Sequence, residues 1–77
     1  MQIEILGPGC SKCQSLYKIT QEAVMQLGID ATVTKVEDIM EIMRYGVIST
    51  PALVIDGEVV LKGRVPSEDE IKTLLTT

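Results

Sequence analysis

The chain has 77 residues, which is enough for one domain and too few for a second core, so we expect a single domain over residues 1–77. Hydrophobic residues make up 45% of the sequence and charged residues 23%, a balance that excludes a disordered chain. The net charge is −4 and the seven Lys and Arg residues are scattered, which predicts neither a nucleic-acid-binding surface nor a basic membrane-binding face.

The sequence also indicates a compartment. No apolar run approaches the roughly 20 residues that a membrane-spanning helix needs, and the first residues lack the basic and apolar regions of a signal peptide. We therefore expect a cytoplasmic protein that does not associate with membranes. Thiols are kept reduced in the cytoplasm, so a cysteine pair there usually serves catalysis, redox sensing or metal binding.

The first half of the chain is predicted to form a strand, a helix and a second strand. Residues 2–6 have the pattern of a short strand, and the Gly-Pro-Gly segment that follows ends it. Over residues 11–27 apolar side chains recur at helical spacing, and a glycine then supplies a stop signal. Residues 30–36 alternate and contain β-branched residues, which predicts the second strand.

A short second helix is predicted after this strand. Asp38 and Glu41 have the spacing of a capping box, with Asp in the cap position, and the helix should end near residues 45–46. Met40 and Met43 are spaced to lie on one face of it, and we expect them to fill the core rather than to bind copper.

The last part of the chain is predicted to form a hairpin and a helix. Apolar runs at residues 52–55 and 59–62 flank an Asp-Gly pair, which is a strong hairpin signal. Ser67 and Glu70 form a second capping box, which predicts a helix over residues 67–75.

The predicted element order is therefore β-α-β-α-β-β-α. The first two strands, joined by a helix, should be parallel with a right-handed crossover. The third and fourth strands must be antiparallel because a tight turn joins them. A four-stranded mixed sheet flanked by helices, in the α/β class, closes this arrangement most economically.

The segment Cys10-Ser11-Lys12-Cys13 is the one constellation that suggests covalent chemistry. It lies where a strand leads into a helix, so Cys10 should lie at or next to the helix N-terminus. Unpaired backbone N–H groups and the positive end of the helix dipole favour a thiolate there. Lys12 adds a nearby cation. Ser11, which lies beside it between the two cysteines, is a second candidate for stabilising the thiolate.

A division of labour between the two thiols follows from this placement. Cys10 is predicted to be the exposed nucleophile that attacks a target disulfide. Cys13 lies one helical turn later and points back toward the core, so it is predicted to be the buried resolving thiol. This chemistry needs no cofactor and no bound metal.

Other interpretations of the pair stay open. Both cysteines could be inert, buried apolar residues. A structural zinc site needs four ligands, and the chain has no His and no third Cys, so a complete Cys/His site within one chain is excluded. Two thiolates could still hold Cu(I), which soft ligands select. A copper-carrying module and a redox-regulated binding domain therefore remain the alternatives.

The cysteine motif and several later segments resemble the thioredoxin-like superfamily. The segment Tyr45-Gly46-Val47-Ile48-Ser49-Thr50-Pro51-Ala52-Leu53 is similar to the one that enters the third thioredoxin strand, and Asp56-Gly57-Glu58-Val59 and Lys62-Gly63 are similar to the family's hairpin and the end of its fourth strand. The likeness covers nearly the whole chain. It is strongest to the small redox-active disulfide proteins of archaea and bacteria, which share a Gly-Pro-Gly-Cys-x-x-Cys start.

This resemblance implies a minimal thioredoxin fold and thiol–disulfide oxidoreductase activity on protein or small-molecule disulfides. It implies a cis peptide bond before Pro51, with the backbone of Thr50, and Ser49 beside it, available to a bound substrate strand. It places Glu4 where thioredoxins keep a buried acid that helps deprotonate the resolving cysteine. Because Ile3 and Ile5 point to the opposite face, Glu4 could face the redox helix and act as a proton shuttle. The alternative, which we favour, is an exposed strand carboxylate without that role.

The resemblance also implies partners, namely disulfide-containing proteins and an upstream reductase, and we expect the chain to act as a monomer. Some residues depart from the family's pattern. Gly9 stands where thioredoxins have Trp, and Ser-Lys rather than Gly-Pro separates the cysteines. The Gly-Gly-x-Asp-Asp segment with which glutaredoxins bind glutathione is replaced by residues 63–69.

Overall fold

A computed structural model of the chain describes residues 1–9 and 11–76. Its elements follow the predicted order: β1 (Gln2–Leu6), α1 (Ser11–Leu27), β2 (Thr32–Val36), α2 (Ile39–Arg44), β3 (Ala52–Ile55), β4 (Glu58–Lys62) and α3 (Glu68–Thr76). The strand β2 begins two residues later than predicted, because the chain leaves α1 through Gly28 with positive φ and pairs with β1 only from Thr32 onward.

The four strands form one mixed sheet in the order β2-β1-β3-β4. The strand β1 pairs in parallel with β2, with Ile3 opposite Val33, and antiparallel to β3, with Ile5 opposite Leu53. The strands β3 and β4 are antiparallel, as predicted for the hairpin. The mixed sheet and the α/β class are therefore confirmed, and β1, which carries the chain toward the cysteine motif, is a central strand.

The two faces of the sheet bury different helices. Ile3 and Ile5 pack in one cluster with Leu16 of α1 and Ile71 of α3. Leu6, on the other face of β1, packs in a second cluster with Ile42 of α2 and Val54 of β3. The helices α1 and α3 therefore cover one face, and α2 covers the other.

The local signals in the sequence act largely as predicted. The Asp38 carboxylate accepts a hydrogen bond from the Met40 N–H at 3.0 Å, and the Ser67 hydroxyl oxygen accepts one from the Glu70 N–H at 3.2 Å. The Asp56-Gly57 pair has φ values of 50° and 85°, and positive φ at both positions is what a type I′ hairpin turn requires.

The prediction that Met40 and Met43 fill the core is wrong. Their exposed fractions are 66% and 64%, whereas Ile42 between them is 2% exposed. The helix α2 has only six residues, and it buries one side chain against the sheet. With less than two full turns, it cannot turn its second apolar face, which also carries Ile39, toward the same core.

The two faces of α2 should therefore contribute very differently to stability. We expect Met40→Gln and Met43→Gln to change the free energy of unfolding by no more than about 0.5 kcal/mol, as exposed positions do. The matched change Ile42→Ala should cost about 2–5 kcal/mol, because it leaves a cavity against β3. Urea unfolding of the three variants measures this, and equal losses would contradict the burial pattern.

Candidate active site

The motif residues that the structure describes lie at the first turn of α1. The helix begins at Ser11, as predicted, and Ser11 and Lys12 are both exposed. The side chain of Cys13 is buried, with an exposed fraction of 5%. Cys10 lies outside the described residues, so its predicted position at the helix N-terminus stays a prediction.

The sulfur of Cys13 packs directly against the backbone of Gly7. A Cβ atom placed on Gly7 would lie 2.1 Å from the Cys13 Sγ and 3.0 Å from its Cβ, so no side chain other than hydrogen fits here. The same Cβ position lies 4.0 Å from the Cβ of Thr50. The Gly7 N–H donates to the Val36 carbonyl oxygen at 2.9 Å, which holds this residue at the end of the β1–β2 pair.

The loop before β3 also approaches Gly7. The Thr50–Pro51 peptide bond is cis, which confirms the prediction, and the Pro51 ring is buried. The Pro51 carbonyl oxygen accepts a hydrogen bond from the Gly63 N–H at 2.9 Å. Thr50 is half-buried and lies near Gly7, on which Cys13 packs, whereas Ser49 is exposed and lies near Gly63. Their role in substrate binding stays a prediction.

An ion pair fixes the segment that follows Gly63. The Arg64 guanidinium donates to both carboxylate oxygens of Glu70 in the first turn of α3. These hydrogen bonds hold the pKa of Glu70 below its ordinary value. The pair therefore connects the end of β4, which anchors the Pro51 loop, to α3.

Glu4 does not face the redox helix. Side chains alternate along a strand, and Ile3 and Ile5 are the residues of β1 that pack against α1. Glu4 therefore lies on the α2 face of the sheet, where it is half-buried and its Oε2 accepts a hydrogen bond from the Tyr45 hydroxyl at 2.8 Å. The suggested face was wrong because alternation says which residues share a face and not which helix covers it.

The hydrogen bond between Tyr45 and Glu4 affects the phenol. It is the main reason that the pKa of Tyr45 is raised above its ordinary value of 10.0, with burial and the charges of Glu4 and Glu41 acting in the same direction. A phenolate facing a carboxylate would lose the hydrogen bond and repel it. The contact therefore joins Tyr45, at the end of α2, to β1. The loop that leads to Pro51 begins at the next residue.

Two charged residues that the sequence did not single out lie next to Cys13. A small cavity at the end of β1 is lined by Cys13 and Gln14 of α1, by Lys35 of β2 and by Glu37, which follows β2; Ile5, Gly7 and Gly9 complete its wall. The Lys35 Nζ lies over the Tyr17 ring, 4.6 Å from its centre. A Cβ atom on Gly9 would lie 2.8 Å from the Glu37 Oε2, so Glu37 fits closely against that glycine.

The signal that could have found these residues is the parallel pairing of β1 and β2. Parallel strands end at the same edge of a sheet, so residues at the end of β2 come close to the residues that follow β1. The register places Lys35 opposite Ile5 and Val36 opposite Leu6. This register depends on contacts between distant segments, which the pattern of either strand alone does not specify.

Comparison with known proteins agrees with this geometry. Residues 1–76 match a family model described as a thioredoxin domain. A thioredoxin of Methanothermobacter thermautotrophicus is 45% identical over 76 residues, which cover 99% of both chains. A thioredoxin of Methanocaldococcus jannaschii is 44% identical over 70 residues, which cover 91% of this chain and 80% of the relative. The chain belongs to the thioredoxin family.

Membership of the thioredoxin family gives the reaction class. The chain is a thiol–disulfide oxidoreductase. Thioredoxins act on disulfide-containing substrates and are themselves reduced by a reductase. The minimal thioredoxin fold, with a buried cysteine in the first turn of the helix that follows β1, is the framework on which this chain carries out that exchange.

The contact between Gly7 and Cys13 can be tested by adding one methyl group. We expect Gly7→Ala to lower the free energy of unfolding by about 1–3 kcal/mol, because the Cβ overlaps the Cys13 sulfur in a packed interior. It should also speed alkylation of Cys13, measured in a Cys10→Ser background, since the sulfur is displaced toward solvent.

Gly57→Ala is the matched control for this experiment. It has φ of 85° but no atom within 4 Å of an added Cβ, so it should destabilise the hairpin without changing the reactivity of Cys13. Equal alkylation rates in Gly7→Ala and Gly57→Ala would contradict the proposed contact.

The hydrogen bond from Tyr45 to Glu4 should make stability depend on pH in the alkaline range. The raised pKa of Tyr45 stabilises the folded state below the ordinary pKa of 10.0, and this contribution is lost as the pH rises through the raised value. Tyr45→Phe should lower the free energy of unfolding by about 1 kcal/mol at neutral pH. The difference from the original protein should shrink above about pH 10.

Tyr17→Phe removes the same hydroxyl group from an exposed hydrogen bond with Gln21 and serves as the control. We expect it to change the free energy of unfolding by less than about 0.5 kcal/mol. Denaturant unfolding at several pH values measures both variants. A deficit for Tyr45→Phe that stays constant through the alkaline range would show that the phenol and Glu4 are not coupled.

Proposed function

We propose that the exchange runs through Cys10 and Cys13, with Cys10 as the nucleophile and Cys13 as the resolving thiol. The observation that carries this proposal is the placement of Cys13. Its sulfur is buried in the first turn of α1 and packs on Gly7, near Thr50 of the cis Thr50–Pro51 peptide. A buried thiol in this position suits the second, internal step and not the first attack on a bulky substrate.

The proposed reaction has two balanced steps. The Cys10 thiolate attacks one sulfur of the target disulfide, forming a mixed disulfide while the other target sulfur leaves as a thiolate. The Cys13 sulfur then attacks the Cys10 sulfur, which forms the Cys10–Cys13 disulfide and releases the second target sulfur. The target gains two electrons and the protein loses two, which an upstream reductase restores.

The first turn of α1 supports the role of Cys10. Ser11 and Lys12 are exposed in this turn, where backbone N–H groups are not used within the helix. These N–H groups, the helix dipole and the Lys12 cation all favour negative charge at the preceding residue. We infer that Ser11 and Lys12 stabilise the Cys10 thiolate.

The loop before β3 supports recognition through the backbone. Thr50 follows the exposed Ser49 and lies near Gly7, on which Cys13 packs, and the Pro51 ring after it is buried. A target segment that pairs with the Thr50 backbone would be held by main-chain hydrogen bonds, which do not depend on its side chains. We infer from this that the substrates are protein disulfides of varied sequence.

The remaining features of the proposed function concern the state of the protein. We propose that residues 1–77 form a single domain that acts as a monomer in the cytoplasm. Among the helices of the described residues, none is both long enough and apolar enough to cross a membrane. A copper-carrying role for the two thiolates is an outcome that the experiment below distinguishes.

A redox titration of the purified protein tests the proposal. We expect a reversible two-electron couple within about −270 to −120 mV, the range of such pairs. Cys10→Ser should abolish disulfide reduction, whereas Cys13→Ser should accumulate a mixed disulfide with the target. The absence of a reversible couple, together with tight Cu(I) binding, would reject exchange in favour of copper carriage.

A further inference from the structure

The second step of the proposed reaction poses a problem of proton transfer, and the inference here rests on that proposed function. The thiolate, not the thiol, is the nucleophile, so Cys13 must lose its proton as it attacks. Its side chain is only 5% exposed. The carboxylate of Glu4 lies on the opposite face of the sheet and already accepts a hydrogen bond from Tyr45. Glu4 therefore lies on the wrong face of the sheet to take this proton.

The cavity beside Cys13 offers a route for this proton. It gives about 20 Å³ to the centre of a water-sized sphere, which is room for one water molecule. Its polar residues are Cys13, Gln14, Lys35 and Glu37, and their side chains can supply the several partners that a buried water requires. The glycines Gly7 and Gly9 keep the cavity open, because a side chain on either would collide with Cys13 or with Glu37.

The charges around the cavity favour Glu37 as the acceptor. Lys35 of β2 and Glu37, which follows β2, line the cavity. The helix α1 carries the exposed Lys12 next to Cys13 in the sequence. Among the described residues, Glu37 is the one carboxylate in the lining. Lys35 carries a positive charge held over the Tyr17 ring, and an ammonium has no site to accept a proton.

We propose that Glu37 accepts the proton of Cys13 through a single water molecule in this cavity. The Cys13 S–H bond breaks as its electron pair forms the bond to the Cys10 sulfur, and the thiol proton passes to the water while one water proton passes to Glu37. The bond between Cys10 and the target sulfur breaks, and that sulfur leaves as a thiolate. Glu37 is exposed, so it returns the proton to bulk solvent.

A chromogenic aromatic disulfide that releases one coloured thiolate at each exchange separates the two steps. In the reduced protein the first release reports attack by Cys10, and the second reports attack by Cys13. We expect Glu37→Gln to leave the first release unchanged and to slow the second about a hundredfold, at the lower edge of general-base effects. The second release in Glu37→Gln should also depend more steeply on pH, because only hydroxide or bulk water then takes the proton.

Two further variants make the result specific. Glu22→Gln removes the same charge from an exposed position on α1, outside the cavity lining, and should match the original protein in both releases. Glu37→Asp keeps a carboxylate and should recover part of the second rate, which a purely structural role for the longer side chain would not predict.

Several outcomes would overturn the proton route. These are a second release in Glu37→Gln equal to that in Glu22→Gln, equal slowing of both releases, or slowing of the second release in Glu4→Gln alone. Each of these leaves thiol–disulfide exchange by Cys10 and Cys13 intact. If the unsubstituted protein releases only one coloured thiolate, that result would instead overturn the proposed function itself.

Discussion

The contact between the Cys13 sulfur and the bare backbone of Gly7 is the constraint on which the site depends. It fixes how closely α1 crosses the end of β1, because any Cβ at residue 7 would fill the space that the sulfur occupies. The hydrogen bond from Gly7 to Val36 holds the same residue in the sheet. The helix, the central strand and the loop of Thr50 therefore meet at one residue without a side chain.

The rest of the molecule supports that meeting point from both faces of the sheet. The larger cluster fixes α1 through Leu16 against Ile3 and Ile5, and so sets the height of Cys13 above β1. On the other face, Tyr45 and Glu4 join the end of α2 to the same strand. The loop that carries Pro51 is then held at its far end by Gly63. Each support acts on a different element around the buried thiol.

Local patterns in the sequence were sufficient for most of the fold. The bounds of α1 follow from its helical spacing and the glycine after it, and the hairpin follows from Asp56-Gly57. The cis bond before Pro51 was expected from the family resemblance and not from physical reasoning on the residues. Patterns that depend on distant contacts were less informative. The face suggested for Glu4 was wrong, and the sequence did not predict the cavity between Cys13 and Glu37. Both features depend on how separate elements pack together.

The helices on the two faces of the sheet bury different numbers of side chains, and this affects how the fold opens locally. The helix α2 has six residues and inserts only Ile42 into its cluster, whereas α1 has 17 residues and buries four of them. The free energy of local unfolding rises with the number of apolar contacts that an element buries. The helix α2 therefore separates from the sheet at a lower free-energy cost than α1. Local opening of the native state therefore begins at α2, on the face of the sheet away from Cys13. It loosens the loop that runs from α2 to Pro51, while the crossing of α1 over β1 stays closed.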